Sequence, residues 1–169
     1  MRVKKTNLDG VLEIQLNNFE DFRGEYIESY NLKEYAKNKI NIEFIQDDFS
    51  ISRKNVLRGI HGDHETWKLV SCIYGSFLLV VVNNDPDHKQ YKEHFSIELN
   101  DKKRNQILIP PKFGNGHLVL SELAIFHYKQ NTYYNPKGQF TLLWNDKSLK
   151  INWPIDNPIL SERDSKGHF

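Results

Sequence analysis

Cysteine is almost missing from this chain: among 169 residues only Cys72 is one, so no intramolecular disulfide can form. Its setting in the apolar stretch 69–75 predicts a buried structural thiol. Long hydrophobic runs are missing too. The start, MRVKKTNLDG, carries charges with no apolar segment behind them, so neither a secretory signal nor a transmembrane helix is expected. A soluble, cytoplasmic protein is the resulting expectation. An excess of one charge is also lacking, because 23 Lys and Arg face 22 Asp and Glu, for a net charge of +1. That gives no electrostatic reason to expect nucleic acid or an anionic membrane as partner. The basic clusters at Lys4-Lys5 and at 102–104 read as solvated faces.

The apolar residues that are present come in short runs rich in Val, Ile, Phe and Tyr, separated by polar or Gly/Pro/Asn/Asp breaks. The runs 11–16, 26–30, 43–45, 68–74, 77–82, 94–99, 106–109, 117–120, 124–129 and 140–144 read as strands. Such spacing predicts an all-β jelly-roll barrel, and the length suits one domain over 1–169. Only 32–39 reads as a helix, opening after Asn31 as N-cap with Leu32, Tyr35 and Ala36 on one face. The stretch 83–87, Asn-Asn-Asp-Pro-Asp, is a loop, and the tail from Pro154 should wrap the barrel rather than add strands.

Three clusters carry candidate chemistry. The densest is Arg58-Gly59-Ile60-His61-Gly62-Asp63-His64 with Lys68, a segment between two strand-like runs. A lone His is commonly structural, but two His with Arg, Asp and Lys inside eleven residues favour a site over a solvated loop. Metal ligation is the competing reading. On a strand, His61 and His64 would point to opposite faces, and His88, His94, His117, His127 and His168 are scattered, so no metal site is assigned. The second cluster, Pro110-Pro111-Lys112-Phe113-Gly114-Asn115-Gly116-His117, reads as a rigid turn presenting Asn115 or His117, or as a plain strand connection. The third is His127-Tyr128-Lys129 with Tyr133-Tyr134, where core aromatics are the default.

Taken in order, the segments Asp21-Phe22-Arg23-Gly24 with Glu28, Phe44-Ile45-Gln46-Asp47 with Ser50, and Asn55-Val56-Leu57-Arg58-Gly59-Ile60-His61 resemble the dTDP-4-dehydrorhamnose 3,5-epimerase family. So do Lys68-Leu69-Val70, Tyr128-Lys129, Trp144-Asn145-Asp146, Ile151-Asn152-Trp153-Pro154 and Leu160-Ser161-Glu162-Arg163-Asp164. The resemblance implies a cupin-type barrel with short peripheral helices, working as a homodimer without metal or redox cofactor on a nucleotide-diphosphate 4-keto sugar. It implies His61 as base, Asp164 as its orienting carboxylate, Tyr128 as acid on the opposite face, and Lys68 near the C4 oxygen. Arg58 and Arg23 match phosphate or subunit-boundary positions, and Gln46 and Tyr134 would contact the nucleotide and line the sugar pocket. Glu28, Asn115, Asp63 and His117 complete the binding candidates.

The chain departs from the family pattern where an aromatic-Gln pair becomes Gly62-Asp63 and where Gly-Phe-Ala-His-Gly-Phe becomes Lys112-Phe113-Gly114-Asn115-Gly116-His117. An Asp-Ile-Arg becomes Asn83-Asn84-Asp85, and Asp-Asn becomes Asp47-Asp48. Base, acid and orienting carboxylate remain while the pocket changes, which implies the same reaction type on a different sugar or nucleotide. These variants look like a branch acting on GDP-linked 4-keto heptoses of bacterial capsules or surface polysaccharides. The rival readings are a nucleotide-sugar 3,4-ketoisomerase, a non-catalytic sugar-nucleotide-binding cupin, and a metal-dependent cupin oxygenase.

Overall fold

A computed structural model describes residues 1–167, which leaves His168 outside the described residues. Thirteen strands occur among them: β1 (Arg2–Lys5), β2 (Leu12–Gln15), β3 (Asn18–Asp21), β4 (Gly24–Ile27), β5 (Gln46–Arg53), β6 (Leu57–Gly62) and β7 (Lys68–Tyr74), then β8 (Ser76–Asn83), β9 (His94–Asn100), β10 (Asn105–Ile109), β11 (Phe113–Val119), β12 (Leu123–Gln130) and β13 (Phe140–Thr141). Two antiparallel sheets face each other, one in the order β1-β2-β10-β7-β12-β5 and the other β13-β6-β11-β8-β9, with β3-β4 as a separate hairpin. The all-β jelly-roll expectation holds.

Strand periodicity explains how the central strands bury both faces. On β8, Phe77, Leu79 and Val81 point into the core between the sheets, while Val80 and Val82 join Leu57, Ile60, Leu118, Leu149 and Trp153 on the outer side. That outer layer is the C-terminal tail laid over the second sheet and pinned where the Trp153 indole N–H donates to the Trp144 carbonyl (2.8 Å). On β10, Ile107 and Ile109 enter the central core and Leu108 turns outward to Ile14, Tyr35, Ile40 and Leu69. Alternation on a strand covered on both sides produces the continuous apolar runs seen in the sequence.

Helix α1 (Leu32–Lys37) begins where expected, with the Asn31 side chain accepting from the N–H groups of Lys33 and Glu34. It buries only Tyr35; Leu32 and Ala36 are exposed, and the chain turns at Lys39 in the left-handed region (φ 64°), so the helix is shorter than the 32–39 expectation. Residues 43–45 form no strand, and β5 starts after them. Within 110–117 the turn is confined to 111–112, and from Phe113 on the segment lies in β11, where Gly114 and Gly116 face β6 so closely that a Cβ on Gly114 would sit 2.8 Å from Ile60 Cγ2. The tail wraps as expected but also contains α2 (Glu162–Lys166), capped by Ser161, whose hydroxyl accepts from Asp164 N–H.

Candidate functional site

A cavity of about 460 Å³ opens between the two sheets. Strand registry stacks its walls in rows. On the first sheet, Gln130 pairs with Gln46 on one side and Lys68 on the other, Tyr128 with Asp48, and Phe126 with Ser50. On the second, Asn115 pairs with His61, and His117 with Arg58. Because residues two apart on a strand share a face, Gln46, Asp48 and Ser50 all face inward from β5, as Asn115 and His117 do from β11. Helix α2 closes the side with Arg163 and Asp164.

His61 and Asp164, 103 residues apart in sequence, meet at 2.6 Å between Nε2 and Oδ1. Asp164 is 2% exposed. Burial works to raise its carboxyl, yet the His61 ring, the Ser161 hydroxyl and the Gly59 backbone N–H beside it hold it below its usual value. An ionised carboxylate only accepts, so His61 Nε2 carries the proton and donates, and Nδ1 keeps its lone pair. The pair is a base of fixed tautomer.

Lys68 is 7% exposed and its ammonium donates to Asn115 Oδ1 at 3.3 Å. Burial lowers it to about 8, with the positive Arg163 adding to the effect and Asp63 opposing it. At neutral pH it is therefore a desolvated cation, worth more to a developing negative charge than a hydrated one. Tyr128, on the opposite sheet from His61, is pushed up to about 12 by burial and by the Asp48 carboxylate beside it. His117 is pushed down to about 3 by burial, then by Arg58 and His61, and is neutral. Its ring stacks on Phe126 (4.1 Å, 6° between planes), and its Nε2 has no hydrogen-bond partner.

Nine of the sequence candidates thus line one cavity: His61, Tyr128, Asp164, Lys68, Arg58, Gln46, Asn115, His117 and Tyr134. Arg58 Nε donates to Ser52 Oγ (3.0 Å), and Gln46 accepts from Tyr134 N–H (2.9 Å), fixing Tyr134 at the rim. Three candidates lie elsewhere. Arg23 sits in the exposed β3-β4 hairpin, paired with Asp21, because four-residue strands leave its turn far from either sheet. Glu28 accepts from Asn31 Nδ2 just before α1. Asp63 turns away to cap the N–H groups of Glu65 and Thr66, and it reaches Lys68 only through its charge. His64 lies past the end of β6 with its ring against Phe140, and among the described residues no group of three or more His, Cys, Asp or Glu is placed to hold a metal.

Three of the further lining residues, Arg163, Ser161 and Asp48, are not singled out as site candidates by the sequence reading. Arg163 donates to Thr141 Oγ1 (2.9 Å) and Gln139 Oε1 (3.2 Å), anchoring the loop before β13. Ser161 and Asp164 stand at capping spacing, a signal that would have found α2 and with it Arg163. Asp48 accepts from Gln46 Nε2 (2.8 Å) and Gln130 Nε2 (3.4 Å), and only its cross-strand place opposite Tyr128 shows its relevance.

The family model described as dTDP-4-dehydrorhamnose 3,5-epimerase matches residues 5–169. The enzyme of that name from Shigella flexneri is 38% identical over 172 residues, covering 99% of this chain and 94% of the relative. The crystal structure of the Elizabethkingia anophelis NUHP1 enzyme superposes with a TM-score of 0.92 at 35% identity, covering 99% of this chain and 95% of that one. The Legionella pneumophila Philadelphia 1 dTDP-6-deoxy-D-glucose-3,5-epimerase, solved with dTDP-4-keto-L-rhamnose, gives 0.94 at 32% identity, covering 99% and 91%. Sequence, fold and cavity lead to one assignment: this chain belongs to the dTDP-4-dehydrorhamnose 3,5-epimerase family.

Proposed function

We propose that the chain is an isomerase that inverts C3, C5 or both in a nucleotide-diphosphate-linked 4-keto-6-deoxy sugar. The observation that carries this reading is the His61–Asp164 pair on one wall with Tyr128 on the other and the buried Lys68 ammonium beside them. A C–H next to a ketone becomes acidic when its electrons can move to the carbonyl oxygen. His61 Nδ1 takes the proton, the electron pair forms the enolate, and Lys68 stabilises the oxygen's charge. Tyr128 then delivers a proton to the opposite face. No hydride moves, so the step calls for no redox cofactor. Arg58 and Arg163 supply guanidinium groups suited to the diphosphate.

The relatives named above act on dTDP-linked sugars, as their names state. Asn115 and His117 change the wall around the same proton-transfer groups, which favours a different sugar or nucleotide, including the GDP-linked heptoses of surface polysaccharides. The 1–169 chain is read as one domain, in line with the family match across 5–169. Among the described residues no helix is long and apolar enough to cross a membrane; a cytoplasmic place of work goes with the free thiol of Cys72.

A homodimer belongs to the same reading. Strand β5 is the last in its sheet, with one ladder edge unpaired. Its outward row includes Phe49 (69% exposed) and Ile51 (56%), and the β3-β4 hairpin holds out Phe22 and Tyr26. An open edge with an apolar face is a surface a soluble protein covers.

The test is incubation with dTDP- and GDP-linked 4-keto-6-deoxy sugars in deuterated water, read by NMR. Deuterium at C3 or C5, lost in His61→Ala and retained but uncoupled from product in Tyr128→Phe, is the expected result. No incorporation against a working control enzyme would overturn the epimerase reading.

A further inference from the structure

The cavity's two proton-transfer groups are built alike. His61 is backed by Asp164, and across from it Tyr128 is backed by Asp48, its direct partner in the β5-β12 ladder. The Asp48 carboxylate is held in place, since the Gln46 and Gln130 amides both donate to Oδ2. Gln46 is itself fixed by accepting from Tyr134 N–H.

We propose that Asp48 is the positioning residue of Tyr128, holding the phenol's proton towards β5 and keeping the phenol neutral, so that inversion is slower than proton exchange on the His61 face. This rests on the epimerase reading above. The only proton of a phenol cannot point two ways. While it donates to Asp48, Tyr128 shows lone pairs to the cavity, and it must turn from the carboxylate to reach carbon. When it does, the O–H proton goes to carbon, the O–H electrons stay on oxygen, and a phenolate is left beside a carboxylate. Water then returns a proton to Tyr128 while His61 gives its own to solvent, so no net charge or atom is gained. Two adjacent anions raise the cost of the middle step. An amide at 48 would remove that cost.

The surroundings do not cancel the effect. On its own sheet Tyr128 meets Asp48 on β5 and Lys68 one row away on β7, with Tyr134 at the rim. Across the cavity stand His61 and Arg58 on β6, His117 on β11, and Arg163 and Asp164 on α2. Of the carboxylates here Asp164 is committed to His61. The cations are on β6, β7 and α2, whereas Asp48 is the charge that stands directly opposite Tyr128 in the ladder. Burial and that carboxylate act in the same direction on Tyr128.

The test compares wild type with Asp48→Asn, a substitution of matched shape. The ratio of deuterium exchange to product formed should fall about 10-fold or more, following a pKa drop of roughly 1–3 units on loss of the adjacent charge. A basic limb absent from the wild-type rate up to pH 10 should come into view, while KM changes little. An unchanged ratio together with an unchanged pH profile would overturn the inference. A second measurement works even where that variant fails to fold and needs no turnover. Phenolate absorbance near 295 nm, titrated to pH 11, should be the same for wild type and Tyr128→Phe, because Tyr128 stays neutral over that range. One extra phenolate in the wild type would overturn the proposal. Absence of exchange in wild type with a normal titration would instead remove the epimerase reading and leave the Asp48–Tyr128 contact standing.

Discussion

Replacing Asp164 by Asn and by Ala separates two things the carboxylate does for His61. In the Ala variant the negative charge beside the imidazolium is lost. Without that charge to favour the protonated ring, exchange should fall by roughly 10- to 10³-fold. The Asn variant should be worse, although it is closer in shape. Asp164 also has the Gly59 N–H and the Ser161 hydroxyl beside its carboxylate, both holding it ionised. An amide has one oxygen to offer those donors, which leaves its NH₂ facing His61 Nε2. That nitrogen must then accept, the ring proton moves to Nδ1, and the atom that should take the substrate proton has none of its lone pair free. Enforcing the wrong tautomer costs on the order of 10⁴ in rate, about 5 kcal/mol. The assay is the initial rate of deuterium wash-in under saturating substrate, with folding checked by thermal denaturation and nucleotide affinity by calorimetry. An Asn variant as active as the Ala variant, or within 10-fold of wild type, would refute the assignment of Nε2 to Asp164 and Nδ1 to the substrate.

Lys68→Met should abolish activity yet stabilise the fold by about 3 kcal/mol at pH 7, since a shift from 10.5 to about 8 spans roughly 2.5 units at about 1.4 kcal/mol each. The unfolded chain binds the extra proton between those values, so wild-type stability relative to the Met variant should rise with pH from 8 to 10.5 in urea titrations. His117→Phe, which keeps the stack on Phe126, should protect against acid: the unfolded His takes a proton below 6.5 that the folded one refuses until about 3, so wild type loses stability across that window and the Phe variant is spared about 5 kcal/mol. Gly59→Ala places a Cβ 2.5 Å from Gly116 Cα and 2.7 Å from Asn115 O at a φ of 118°, and should lower the melting temperature by about 10 °C, for about 3 kcal/mol, while disturbing His61. Phe49→Asp with Ile51→Asp should give a monomer by sedimentation.

Strand content was legible because buried strands concentrate β-branched and aromatic residues: 68–74 coincides with β7, and β8 is recognisable by its run of six apolar residues. Position 110–117 was misleading for a physical reason. Its glycines exist to let β6 pass close to β11, and spacing alone cannot tell a close crossing from a turn. The site was less legible than the fold. Nothing local links His61 to Asp164; the pairing came from resemblance, and the geometry now supplies it. Asp48 escaped because its importance arises across a ladder, whereas Asp63, beside His61 in sequence, turned out to cap a loop.

The period of two along β5 has one more consequence. Gln46, Asp48 and Ser50 face the cavity, while the alternate residues Asp47, Phe49 and Ile51 are exposed, Phe49 also touching the cavity. Pocket and proposed association surface are therefore interleaved on one backbone, each cavity-facing residue one peptide away from an exposed one. Pairing of that free edge would stiffen the strand that positions Asp48. Turnover per active site should accordingly rise with protein concentration through the range where chains associate, making dilution a reversible attenuator of the enzyme.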